Sequence, residues 1–305
     1  MAVSQVRVKI NGVWTTLTYN STSGKYEGTI AAPSITSYNV NASHYYPVTV
    51  EATDQAGNVT SKDDTDSTLG NSLKLTVKEL TKPVISFTAP TAGAYLATNT
   101  PSITFTVIDE TNGSGIKISS LSIQVDGGTA LTNTSTGVTV SGITNGYQVT
   151  YVPQTALTDG SHTVAVNIQD NDGNAATAVS RSFTVDTVPP TLSVSTPANT
   201  TTYTNVASIT VAGVTNDATS SPVTLTVNGT AVTVDAGGNF NKSVSLSLGT
   251  NTITVIATDA AGKTTTVTRT VVLDQTAPTI SAIVINPNPV NAGNSYTISV
   301  TVSDT

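Results

Sequence analysis

Cysteine is missing from all 305 residues. No disulfide framework, thiolate nucleophile or Cys-ligated zinc can therefore form. Charge is also scarce: Asp, Glu, Lys and Arg make up 10% of the chain, where about a quarter is usual. Only 12 residues are Lys or Arg, they are scattered, and the formal net charge is −7. That argues against a nucleic-acid partner, which needs clustered cations to displace counterions. No apolar run approaches the ~20 residues of a membrane-spanning helix, so no membrane insertion is expected. The opening MAVSQVRVKINGVW is interrupted by Arg7 and Lys9 and lacks the apolar stretch of a secretory leader. Read as written, the chain is expected to be made in the cytoplasm without a signal peptide. The two histidines are His44 and His162, and no Gly-x-Ser-x-Gly elbow is present. A triad needs a nucleophile and an orienting acid converging on one histidine. No catalytic residue and no enzyme are expected, and His162 in Asp-Gly-Ser-His reads as a turn residue.

Thr, Ser, Val, Asn and Gly fill the space that charge leaves. Thr and Val suit a pleated, half-buried surface, and Asn, Gly and Ser suit tight turns. Three landmarks recur along the chain. A proline precedes an alternating strand in KPVISFTAP (Lys82–Pro90), PPTLSVSTP (Pro189–Pro197) and APTISAIVINP (Ala277–Pro287). A strand ends in a tight turn in VKING (Val8–Gly12), IQVDG (Ile123–Gly127) and LTVNG (Leu225–Gly229), where Asn-Gly and Asp-Gly favour positive φ. A third strand runs into a polar turn in VTVEATDQAGN (Val48–Asn58), VAVNIQDNDGN (Val164–Asn174) and ITVIATDAAGK (Ile253–Lys263). Alternation puts Val48 and Val50, Val164 and Val166, and Ile253 and Val255 towards a core. A last strand follows in LKLTVKEL, SRSFTVDT and VTRTVVLD. No segment keeps helical spacing.

Short strands with regular turn signals predict an all-β fold of tandem immunoglobulin-like β-sandwich domains, arranged as beads on a string. The expected domains are 1–80, lacking its first strands, then 81–187 and 188–275, each complete, and 276–305, a two-strand half-domain. The Asp-x-x-Gly-Asn/Lys turns (Asp54/Gly57/Asn58, Asp170/Gly173/Asn174, Asp259/Gly262/Lys263) and the VDTVPP and LDQTAP linkers carry a resemblance. They resemble the tandem bacterial immunoglobulin-like (Big-type) repeats of phage tail proteins and bacterial surface adhesins, over nearly the whole chain. The resemblance implies a structural role. The first expectation is a virion protein associated with a phage tail, a spacer, decoration or assembly module contacting itself or other tail proteins. The alternative is a segment of a bacterial cell-surface adhesin or surface filament, extracellular, with calcium-stiffened repeats.

Calcium takes several hard oxygen ligands at flexible geometry, and the acids recur in register. Asp54, Asp170, Asp172 and Asp259 lie in turns, and Asp186 and Asp274 lie in linkers, each four residues before a leading proline. Asp170, Asp186, Asp259 and Asp274 are the candidate calcium ligands. The competing reading is that each Asp caps its own turn. The first linker carries Glu79 in place of Asp, which counts against a shared metal motif. No other cofactor is expected.

The two ends match in length. Pro190 to Gly229 spans 39 positions and Pro83 to Gly127 spans 44, while Pro278 to Thr305 taken with the stretch up to Gly12 gives 39. This predicts head-to-tail strand complementation, in which residues 295–304 of one copy enter the sheet of the next that carries Val8, Ile10, Val48 and Val50; the competing readings are a segment of a longer protein, and a shortened first domain on which the tail of the same chain docks. The expected interface residues are Tyr296, Ile298, Val300 and Val302 on the donor, and Val8, Ile10 and Trp14 on the acceptor. Thr305 is expected to abut Met1 of the next copy. Aromatics crowd the start: Trp14, Tyr19, Tyr26, Tyr38, Tyr45 and Tyr46 all precede Pro47. Flat rings with polar tips suit core, protein interface or a host-surface carbohydrate.

Overall fold

The computed structural model describes residues 2–304, which fall into two compact units, Met1–Val185 and Asp186–Thr305. Among the described residues no helix is long and apolar enough to cross a membrane. The register expected at Met1 and Thr305 lies outside the described residues.

The first unit opens with a single sheet. Its strands are β1 (Val3–Ile10), β2 (Val13–Asn20), β3 (Lys25–Glu27), β4 (Tyr46–Asp54), β5 (Val59–Lys62) and β6 (Lys74–Leu75). They run in the order β3-β2-β1-β4-β5, with β6 also on β4. Asn11 and Gly12 both take positive φ in the β1–β2 turn, as Asn-Gly turns require. The inward face pairs Val8 with Val50 and Ile10 with Val48. Val8 is buried, while Val48 and Val50 are only half-buried. The expected last strand over Leu73–Leu80 shrinks to β6, and residues 76–80 run on without sheet pairing.

The rest of this unit is a complete sandwich. Strands β7 (Val84–Ala89), β8 (Ala94–Leu96), β9 (Ile103–Ile108), β10 (Ser122–Val125), β11 (Val138–Ile143), β12 (Gly146–Tyr151), β13 (Gly160–Asn167) and β14 (Val179–Val185) form two sheets. Their orders are β11-β12-β9-β7 and β10-β13-β14-β8. The core between them includes Ile103, Phe105, Val107, Val164, Val166 and Phe183. Gly146 is fixed by close approach, because a Cβ there would sit 2.0 Å from the Val107 carbonyl oxygen.

His162 does not sit in a turn. It is the third residue of β13 and is buried, because the strand begins at Gly160. Its Nδ1 lies 2.7 Å from Asp126 and its Nε2 lies 2.7 Å from the Thr158 carbonyl. Burial pulls its pKa down, but the Asp126 carboxylate and the Thr158 carbonyl outweigh burial, and the net shift is upward. A histidine raised in the folded state contributes stability below its unfolded pKa and loses it as pH rises through the folded value. An NMR titration should therefore find His162 above the ordinary histidine value, and Asp126→Asn should bring it down.

The second unit holds β15 (Thr191–Thr196), β16 (Thr201–Thr204), β17 (Ser208–Asn216), β18 (Thr224–Val227), β19 (Thr230–Val232), β20 (Asn239–Ser245), β21 (Gly249–Thr258) and β22 (Thr264–Leu273). Sheets β15-β17-β20 and β16-β22-β21-β18-β19 close on a core that includes Val211, Phe240, Ile253, Val255 and Val271. Two further strands, β23 (Thr279–Asn286) and β24 (Thr297–Ser303), pair only with each other, and every residue in them is exposed.

The complete sandwiches share one arrangement. Their first two long strands, β7–β9 and β15–β17, form a hairpin in one sheet, while the strands matching β1 and β4 lie in the facing sheet. Within this chain residues 297–303 pair with β23 rather than with the sheet that carries Val8, Ile10, Val48 and Val50.

Candidate metal centres

Each complete sandwich gathers three carboxylates from three different parts of the repeat. In the first unit these are Glu79 from the linker, Asp109 just past β9, and Asp170 in the turn after β13. In the second they are Asp186 from the linker, Asp217 just past β17, and Asp259 in the turn after β21. Within each cluster the three ligand atoms lie within 4.8 Å of one another.

Local backbone needs fix each acid. Asp170 Oδ1 accepts from the Gly173 and Asn174 amides at 2.6 and 2.8 Å, and Oδ2 accepts from Asn174 Nδ2 at 2.7 Å. Asp109 Oδ2 accepts from the Gly115 amide at 2.7 Å, and Glu79 Oε1 accepts from the Ser114 amide at 2.6 Å. In the second cluster Asp217 Oδ1 accepts from the Thr219 and Ser220 amides at 2.8 and 2.7 Å. Asp259 Oδ1 accepts from the Lys263 amide at 2.8 Å, and Asp186 accepts from the Ser220 hydroxyl. The turn-capping reading is thus correct for one oxygen of several of these acids, and it leaves others over.

Those remaining oxygens point to a ligand. Asp109 is 4% exposed and Asp259 is 5% exposed. Asp109 Oδ1, Glu79 Oε2 and Asp259 Oδ2 are buried with no hydrogen-bond partner among the described residues. A buried, unpaired carboxylate oxygen is costly. Like charges at this spacing repel by about 3–4 kcal/mol per pair at an effective dielectric near 20. Burial, then the neighbouring Glu110, push the Glu79 pKa up against the opposing Ser114 amide. A divalent cation would remove both costs. The three donors of each cluster are all carboxylate oxygens, with no imidazole or thiolate among them, which fits calcium rather than zinc or copper.

Of the four acids singled out from sequence, Asp170, Asp186 and Asp259 fall into these clusters. Asp274 does not: it accepts from the Thr276 amide at 2.8 Å. Asp172 instead joins the first sheet to the first sandwich, accepting from the Glu79 amide at 3.1 Å and from Thr36. Glu79, read as a break in the motif, reaches the cluster with its longer side chain. Asp109 and Asp217 were missed. The signal was available as an acid that ends the second strand of each repeat, in VID, TND and, at Asp304, VSD.

The other predicted residues lie elsewhere. Tyr296, Ile298, Val300 and Val302 are exposed on and beside β24. Val8, which is buried, and the half-buried Ile10 line a cavity of about 290 Å³ with Val13, Ile30, Ala31 and Pro33. Trp14 pairs with Lys9 on the opposite face, under Arg7 at 4.3 Å. Tyr19 and Tyr26 form an exposed ring pair with centroids 5.3 Å apart.

With strand order, paired sheets and alternating cores in view, the chain is an all-β protein of tandem immunoglobulin-like domains, whose only described helices are three short 3-10 turns. Residues 190–275 match the family described as glucodextranase, domain B. The chain is 29% identical over 218 residues to the serine-rich adhesin for platelets of Staphylococcus aureus strain MRSA252, which covers 70% of this chain and 16% of the adhesin. The same adhesin from strain MSSA476 is also 29% identical, with 10% of its length covered. The chain therefore spans a small part of the relatives it matches. Among solved structures it is similar to a tetra-tandem repeat from the extending region of a large adhesion protein, at 19% identity and TM-score 0.33, covering 98% of this chain and 79% of that one. A three-domain titin fragment, I67–I69, gives 12% identity and TM-score 0.38, covering 88% and 87%.

Proposed function

We propose that this chain is a stalk segment of a bacterial surface adhesin, a string of spacer domains whose junctions calcium makes rigid. One observation carries the reading: the same three-carboxylate cluster recurs in successive repeats, and one ligand in each comes from the linker. A cation held there ties the linker to the domain that follows it. In the first unit the linker is already laced to that domain. Lys78 Nζ donates to the Asp172 carbonyl at 3.1 Å, and Asn174 Nδ2 donates to the Glu79 carbonyl at 3.2 Å. Without the cation, repulsion between the acids works against this seating.

The staphylococcal relatives support a surface location and an adhesin role over the phage-tail reading. They also favour spacing or binding over catalysis. A stalk made of many similar domains needs stiffness more than chemistry, and the low charge and dense β-branched content suit it. The test is small-angle scattering of the chain with calcium and with chelator. Calcium should lengthen the maximum dimension and narrow the spread of conformations, and chelator should reverse both. Identical profiles in the two conditions would remove the stiffening role.

A further inference from the structure

We infer that Glu110 is a fourth carboxylate ligand of the first metal centre, and that this centre therefore fills with calcium before the second. The inference rests on the calcium reading of the two clusters and adds to it a ligand and an order of filling.

The two centres differ in the residue after the strand-end acid. Asp109 is followed by Glu110, whereas Asp217 is followed by Ala218. Glu110 is half-buried, and its Oε2 is buried with no hydrogen-bond partner among the described residues. Unpartnered buried carboxylate oxygens therefore lie on Glu79, Asp109 and Glu110 around the first centre, and on Asp259 alone in the second. Asp109, 4% exposed, shows that this is an enclosed site and not a solvated acidic surface.

The loop past β9 fixes Glu110 there. The Gly113 amide donates to the Glu110 carbonyl at 3.1 Å and closes a turn over residues 110–113. Asn39 Nδ2 donates to the Gly113 carbonyl at 2.5 Å, and Asn145 Nδ2 donates to Thr111 Oγ1 at 3.1 Å, so the turn is held from two sides. Gly113 folds back over the acids: a Cβ there would sit 2.7 Å from Asp109 Oδ2 and 2.9 Å from Glu110 Cδ. Glu110 also neighbours Glu79, whose pKa is pushed up by burial first and by the Glu110 carboxyl next. A carboxylate oxygen buried without a donor is costly, and acids brought together repel. A loop glutamate with no further role turns to water instead. The second unit shows that alternative: Ala218 is exposed, the Thr219 and Ser220 amides cap Asp217, and the Ser220 hydroxyl donates to Asp186.

Calcium takes about six to eight oxygens, and its affinity is tuned by ligand charge and site rigidity. Glu110 stands at the edge of the trio beside Glu79. Its long side chain lets the carboxylate swing onto an ion held by Glu79, Asp109 and Asp170. The first centre then offers one more charged ligand than the second, on a turn that is already fixed. One further charged ligand corresponds to about 10- to 150-fold in affinity. As calcium rises, the linker of the first unit is clamped at concentrations that leave the second unit's linker unclamped.

Calorimetric titration of the metal-free full chain with calcium should show two unequal binding steps. The tighter step should be lost or weakened in Asp109→Asn and kept in Asp217→Asn. Glu110→Gln keeps the size of the side chain and removes its charge. It should weaken the tighter step by about 10- to 150-fold and leave the other unchanged. Ala218→Glu, at an exposed position, should tighten the weaker step. Circular dichroism and melting in chelator should find Glu110→Gln folded and no less stable than wild type, which separates a lost ligand from a lost fold. Two wild-type steps of equal affinity, or a tighter step that Glu110→Gln leaves unchanged, overturn the inference while the calcium reading stands. A wild-type chain that binds no calcium at millimolar concentration overturns both.

Discussion

Calcium added to the metal-free chain is expected to raise its melting temperature by about 5–20 °C. The size follows from linkage. Extracellular calcium modules bind with dissociation constants of about 0.1–1 mM, so ~10 mM calcium stabilises each occupied domain by about 1.4–2.7 kcal/mol. For a domain of roughly 90 residues each kcal/mol moves the midpoint by about 4–8 °C. Magnesium should do less, because it demands octahedral geometry and gives up water reluctantly. Differential scanning calorimetry with calcium, magnesium and chelator reads the effect. The shift should fade as pH falls. Glu79 is held above the usual carboxylate range, chiefly by burial, so it takes up a proton before an exposed glutamate would. A group raised in this way costs folded-state stability once ionised. The metal-free protein should therefore become more stable as pH falls through that value, while the calcium-bound protein becomes less so.

Asp217→Asn should change sign with the metal. Asn keeps an Oδ1 that can accept from the Thr219 and Ser220 amides, so the loop past β17 retains its cap. Only the charge is lost. In chelator, one of three like charges beside Asp186 and Asp259 disappears, and the second unit should melt higher than wild type. In calcium the same substitution removes a ligand. A charged interaction of this kind is worth about 1.5–3 kcal/mol, so affinity at that centre should drop about 10- to 150-fold and the unit should melt lower than wild type. A residue that merely caps its loop would move stability the same way in both conditions. Asp109→Asn makes the parallel case in the first unit, where Gly115 donates to Asp109 Oδ2.

The repeat architecture was legible because its signals are local. Alternation placed Val164, Val166, Ile253 and Val255 in cores, and all four are fully buried. The Asn-Gly and Asp-Gly turns take positive φ at Asn11, Asp126 and Asn228 as their chemistry demands. The metal centres were only half legible. Turn and linker acids stand out because Gly and Pro flank them, and three of the four named from there, Asp170, Asp186 and Asp259, fall into the clusters. Asp109 and Asp217 carry no such flag. They end strands, and only the folding of β9 and β17 against β13 and β21 brings them to the turns. Asp274 misled for the complementary reason: its linker context matches Asp186, but among the described residues no strand-end acid or turn acid faces it. His162 misled because a turn-rich local sequence, Asp-Gly-Ser-His, hid the fact that the strand starts at Gly160. Which strand an end segment pairs with is a non-local property: a length match pointed residues 295–304 to the sheet of another copy, and within the chain residues 297–303 pair with β23.

The most direct test of the calcium centres is a calorimetric titration of the metal-free chain. Two calcium ions should bind per chain, Asp109→Asn and Asp217→Asn should each abolish or weaken one of them, and the double variant should lose both. Binding that ignores both substitutions, or no binding at millimolar calcium, would contradict the account.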